Sequence, residues 1–144
     1  MSSLRKSVHV PHAAATMFDL VDACERYPEF LPWCRGAQVL ERTEAITRGI
    51  LEIEFGGFRS RIESVNHKRR PRELRLELVD GPFQRFEGLW SFAPLGEAGC
   101  KVTLAIDYTL ASGALRAVSG PVAALIAGTL VERFVERADA VAAS

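Results

Sequence analysis

ITRGILEIEFGGFRSRIESVN, residues 46–66, carries the signature of a β-hairpin. Gly49, Leu51, Ile53 and Phe55 alternate with Arg48, Ile50, Glu52 and Glu54, the period of two that belongs to a strand with one buried and one wet face. Gly56-Gly57 supplies a tight turn, and a second strand pattern begins at once at Phe58. A connection this short makes the two strands antiparallel neighbours and leaves no room for a helical crossover. With its neighbours on both sides this hairpin makes six such segments in succession: 35–43, 46–55, 58–66, 73–80, 85–93 and 100–110. Leu74, Leu76 and Leu78 oppose Glu73, Arg75 and Glu77, while Phe86, Gly88, Trp90 and Phe92 oppose Arg85, Glu87, Leu89 and Ser91. Cys100, Val102, Leu104, Ile106, Tyr108 and Leu110 form the longest apolar row.

Ahead of these strands, residues 4–10 alternate as a further short strand, which ends at Pro11. A helix is predicted over 13–24, with Met17, Leu20, Val21 and Cys24 spaced by three and four and Tyr27-Pro28 as its stop. The segment YPEFLPWC (27–34) holds two prolines and three aromatics, so it is at most one helical turn within an apolar loop. Behind the strands, 114–142 reads as a long helix with Val122, Ile126, Leu130, Phe134 and Val141 on one stripe; Gly120-Pro121 either kinks it or marks its start. One antiparallel sheet must bury its inner face, and one long helix is available to cover it. The expected class is α+β, a seven-stranded curved antiparallel sheet wrapped around the C-terminal helix. A helix is about 10 Å across with its side chains, too thin to fill such a sheet, so an internal apolar cavity is expected.

The 144 residues suit a single domain, 1–144. Lys plus Arg and Asp plus Glu each number 18, so no global field draws the chain to DNA. Apolar residues make up 48%, yet no run approaches the length of a membrane span. The N-terminus has no clean secretory h-region. The default location is the cytoplasm, with peripheral contact at the inner face of the membrane left open. Cys24, Cys34 and Cys100 are odd in number and lie outside metal-ligand spacing, which fits packed, reduced thiols rather than disulfides or zinc. His9 and His12 flank Pro11 with no acidic or cysteine partner at ligand spacing and read as surface residues, so no metal site is expected.

The inward rows hold Ser60, Ser64, glycines and Tyr108 beside apolar residues, without an acid-base pair or a histidine. The common catalytic motifs are absent as well, so no enzyme is expected. The runs FDLVDACERYPEFLPWCRGAQVLER (18–42), ELVDGPFQRFEGLWSFAPLG (77–96) and VERFVERA (131–138) resemble the coenzyme-Q-binding START-like family, within the polyketide cyclase/dehydrase-like superfamily. The likeness covers nearly the whole chain, and YPEFLPWC with DGPF carries its specificity. It implies a helix-grip fold and a tunnel for a hydrophobic ligand, with ubiquinone the best candidate and no other cofactor. The family's role is that of a non-enzymatic lipid carrier or chaperone in respiratory electron transport. The family also includes bacterial ribosome-association toxins, and both roles stay open.

The residues expected to touch a ligand are Trp33, Leu51, Phe55, Leu78, Phe83, Phe86, Trp90 and Tyr108 from the loop and strands, with Val122, Ile126 and Leu130 from the helix. Phe30, Leu31 and Trp33 either gate the tunnel mouth or cap the core, and Phe83, after Asp80-Gly81-Pro82, is either the opposite lip or a loop anchor. Arg35, Arg85, Tyr108 and Trp33 are the candidate donors to a quinone headgroup. Burying roughly 300 Å² of isoprenoid tail is worth about 7 kcal/mol gross at about 25 cal/mol per Å², so the tail dominates affinity. HKRRPR (67–72) is the one strong basic cluster, read first as a solvated turn between strands. Lys68, Arg69 and Arg70 are its candidate docking residues, for an anionic membrane surface or ribosomal RNA.

Overall fold

The computed structural model describes residues 2–55 and 57–143; the side chains of Phe55, of residues 113–120 and of residues 122 and 123 lie outside that description. Seven strands form one sheet: β1 (Ser2–Val10), β2 (Cys34–Arg42), β3 (Ile46–Phe55), β4 (Phe58–Arg69), β5 (Glu73–Asp80), β6 (Phe83–Leu95) and β7 (Gly99–Leu110). Their order across the sheet is β1-β7-β6-β5-β4-β3-β2, antiparallel at every junction. Two α-helices, α1 (Ala14–Asp22) and α2 (Gly113–Ala143), and a 3-10 segment at Cys24–Glu29 complete the chain. This is the helix-grip arrangement expected from the strand count and the single long helix. Gly57, with φ +85°, makes the β3–β4 turn, and Gly96, with φ +74°, makes the β6–β7 turn.

The first helix ends two residues earlier than its apolar spacing predicts. Its last carbonyls are taken by side chains: Tyr27 Oη donates to the Val21 carbonyl and an Arg42 guanidinium N–H to that of Asp22, at 2.9 Å. With those acceptors satisfied, the chain tightens into the 3-10 turns that accommodate Pro28. Ala14, Met17, Phe18 and Val21 face the core, at i, i+3, i+4 and i+7. Phe18 meets Phe92 edge-on at 5.8 Å, and Phe92 stacks on Trp90.

The helix α2 runs unbroken through Pro121. Its tightest packing falls on Ala127, Val131, Phe134 and Ala138; Phe134 is on the predicted stripe, the other three are each one residue beyond or off it, and Val141 stands half exposed. Ile126 and Leu130 lie beside that row, only partly buried. Among the described residues the helix packs chiefly on β1, β7 and α1. It therefore stands off the β3–β5 side of the sheet, and the space between is the cavity. The outer face is not uniformly wet: Ile50, on the outward row of β3, is buried between its cross-strand neighbours Gln38 and Glu63.

Candidate functional site

The cavity has about 1290 Å³ of atom-free space, including its opening. Leu51 and Ile53 of β3, Ile62 of β4, Leu76 and Leu78 of β5, and Phe86 and Trp90 of β6 form its concave wall. Ile106, Tyr108 and Leu110 of β7 continue that wall, and Ile126, Ala127, Leu130 and Phe134 of α2 face it. The strand period puts these residues there: each is an inward position of its row. Phe58 at the start of β4, Pro82 and Phe83 at the β5–β6 turn, and Leu110 at the end of β7 bring one end of the cavity to the rim of the sheet. Phe83 contacts both Phe86, at 5.1 Å, and Tyr108, at 5.9 Å, so the rim is aromatic.

Trp33, Leu51, Leu78, Phe83, Phe86, Trp90, Tyr108, Ile126 and Leu130 all stand in this wall. The side chains of Phe55 and Val122 lie outside the described residues. Arg35 and Arg85 do not reach the cavity. They point outward, where Arg35 pairs with Glu54 at 2.6 Å and Arg85 lies 3.4 Å from Glu87. Both are even-odd neighbours of inward residues, and the strand period assigns them to the opposite face. Of the four candidate donors, Tyr108 and Trp33 remain in the wall. The indole N–H of Trp33 is sealed in the fold without a hydrogen-bond partner among the described residues.

Residues 27–31 cap the core. Leu31 is fully buried, and Phe30 and Tyr27 meet Phe134 edge-on at 5.2 and 5.3 Å. The Arg137 guanidinium covers the Phe30 ring at 5.1 Å and also pairs with Glu29 at 2.6 Å. Burial pushes Tyr27 well above its ordinary pKa, so its hydroxyl stays a donor to Val21. Cys24, a wall residue that the sequence left as packing, has its thiol pushed up to about 11, chiefly by burial. All three cysteines are free and buried.

The basic cluster differs from the solvated turn read from its composition. The strand β4 extends through Arg69, which turns Lys68 inward with Asn66, Ser64 and Ser60. Lys68 is 7% exposed, with Nζ 3.1 Å from Asp22 Oδ2, while Thr47 Oγ1 donates to Asp22 Oδ1 at 2.7 Å. Arg70 holds Asp19 through two hydrogen bonds of 2.8 Å, which keep the Asp19 carboxyl below its usual range. Lys68 and Arg70 therefore secure α1 to the sheet. Arg69 is the most open of the three, 82% exposed and 3.7 Å from Glu73, while Arg70 stays exposed beside Asp19 and Lys68 is covered. His12 also differs from the surface residue expected: its ring, 10% exposed, lies 2.7 Å from Asp139 of α2.

A model of the family described as polyketide cyclase / dehydrase and lipid transport matches residues 10–135. The chain is 37% identical over 135 residues to a protein of Pseudomonas aeruginosa named "Ribosome association toxin RatA", covering 94% of each. It is 31% identical over 93 residues to "Coenzyme Q-binding protein COQ10 homolog B, mitochondrial" of Xenopus laevis, covering 64% of this chain and 38% of that one. Among solved structures, a START superfamily protein of Mycobacterium smegmatis aligns with TM-score 0.76 at 19% identity, over 96% of this chain and 98% of that one. The Zhui aromatase/cyclase of Streptomyces aligns with TM-score 0.78 at 15% identity, over 96% and 93%. At these identities the two structures bear on the fold alone. The match across most of the chain, on a curled sheet that grips one helix, places the protein in the polyketide cyclase / dehydrase and lipid transport family.

Proposed function

We propose that this chain binds an elongated apolar lipid, ubiquinone or a related polyprenyl compound, in the cavity under α2 and carries it without transforming it. One observation carries this reading: a cavity walled mainly by aliphatic and aromatic side chains, with no charged side chain among its described lining residues. Such a wall gains affinity from hydrocarbon burial and offers no carboxylate or imidazole for acid-base chemistry. The relative named for coenzyme Q binding supports a quinone as the occupant. Delivery at a membrane surface would then serve respiratory electron transport. Organic extraction of the purified chain with mass spectrometry, and loading with decylubiquinone, test it. A quinone recovered or taken up at saturation is expected; a chain that stays empty in both experiments overturns the reading.

A second role, contact with the ribosome, is favoured by the name of the Pseudomonas relative. The surface for it lies at the β4–β5 turn, where Arg69 and Arg72 are exposed. Cosedimentation with large ribosomal subunits at low salt is the test. Binding lost in Arg69→Glu/Arg72→Glu supports that surface, and cosedimentation unaffected by both reversals removes it.

A further inference from the structure

The inward row of β4 places three polar side chains, Ser60, Ser64 and Asn66, in a wall that is mostly aliphatic and aromatic and whose other polar groups include the Tyr108 hydroxyl and the Cys24 thiol. Asn66 lies opposite Thr47 on β3 and Leu76 on β5, two residues from the Lys68 that holds Asp22. It therefore sits at the inner end of the cavity, along β4 from the rim residue Phe58. Asn66 is 7% exposed, and its Oδ1 accepts a hydrogen bond from Ser64 Oγ at 3.1 Å. Its amide nitrogen has no hydrogen bond among the described residues, yet it is not one of the atoms sealed away without a partner, as Trp33 Nε1 is. With Asn66 in the cavity wall, that free N–H₂ borders the cavity. A buried carboxamide left half paired is uncommon, and a carbonyl or ether oxygen is what it would accept as a partner.

We propose that Asn66 reads the polar head of the ligand: an apolar molecule enters with a carbonyl-type acceptor leading and pairs it with the Asn66 N–H₂ at the inner end. Its hydrocarbon part then lies between Phe83 and Phe86 on one side and Ile126 and Leu130 on the other, toward the rim. This assignment rests on the lipid-binding reading above and adds the direction of entry and the residue that selects for an acceptor. The hydroxyl of Ser64 is a positioning group, which holds the carboxamide with its nitrogen toward the cavity.

Two probes of similar shape separate selection from packing: decylubiquinone, which carries ring carbonyls, and dodecylbenzene, which carries none. Asn66→Leu keeps the branched outline and removes the donor. Its affinity for decylubiquinone is expected to fall by about tenfold, the worth of one buried hydrogen bond, while dodecylbenzene binds within about twofold of the parent. Ser64→Ala, which leaves Asn66 in place, is expected to give a smaller loss for decylubiquinone alone and serves if Asn66→Leu does not fold. Equal loss for both probes, or no loss for either, overturns the assignment and leaves the lipid reading standing. A parent protein that takes up neither probe overturns both.

Discussion

Lys68 Nζ and Asp22 Oδ2 are 3.1 Å apart with their side chains only 7% and 15% exposed, a lysine from the inner face of the sheet meeting a carboxylate at the end of the first helix. A carboxylate at a helix C-terminus faces unfavourable partial charge. The pairing with Lys68 and Thr47 offsets this and ties α1 to the sheet at the inner end of the cavity. Lys68→Met leaves the carboxylate to Thr47 and to Arg42 Nε, 3.8 Å away, and is expected to cost about 2 kcal/mol in urea unfolding, whereas Asp22→Asn/Lys68→Met together should recover much of it. Equal cost for the single and the double variant would show that packing, not charge pairing, dominates.

Acid should loosen the outer struts first. Hydrogen bonds from Arg26 and then Arg137 hold the Glu29 carboxyl below its usual 4.5, and the bond from Arg70 holds Asp19 below 3.8. A depressed folded-state pKa means that the stabilisation is complete above the unfolded value and disappears as pH falls through the folded one. Thermal stability is therefore expected to be level from neutrality to about pH 5 and to fall below about pH 4. Arg70→Met and Arg137→Met should flatten that acid limb, and because these pairs are exposed, salt should weaken it too.

The thiols should be silent in the native protein. Burial is the leading cause that pushes Cys24 and Cys34 up to about 11, and it raises Cys100 as well. At pH 7.5 iodoacetamide is expected to leave the folded chain unlabelled over a period in which the urea-unfolded chain reacts at all 3 cysteines. Rapid native labelling would mean that the Cys24 segment opens.

Packed core and cavity wall should answer the same truncation differently. Leu74 is fully buried against its neighbours, whereas Leu78, four residues along the same row, borders empty space. Leu74→Ala is expected to cost about 3 kcal/mol and Leu78→Ala about 1 kcal/mol, read from urea midpoints. Equal costs would mean that the space beside Leu78 closes in solution.

Periodicity is legible over short distances, and most of the fold follows from it. The alternation in residues 46–66 places Leu51 and Ile53 in the cavity wall, and the same rule puts Trp90 and Tyr108 there from strands far along the chain. What the residues do not announce is pairing between distant segments. Lys68 looks like part of a basic turn until Asp22, 46 residues away, is found against it, and His12 looks free until Asp139 arrives from 127 residues away. Helix phase is similarly fragile. A stripe extended from Ile126 to Val141 drifts off the packed side, because the tight row runs through the small residues Ala127 and Ala138, which hydrophobicity alone underweights. Asn66 escapes for a related reason: a single amide in an inward row carries no pattern, and its half-paired state shows only in three dimensions.

The sheet order has a kinetic consequence. From β2 to β7 every pairing joins consecutive strands, so those hairpins close small loops at low entropic cost. The β1–β7 pairing is different in kind, since it brings together Ser3 and Asp107, 104 residues apart. Contact order therefore resides mainly in one seam, and folding is slowed by the search that brings the first strand to the last. In a pulse-labelled exchange experiment the amides of β3 and β4 would gain protection before those of β1. A circular permutant that joins the chain's ends would turn that long search into a short one.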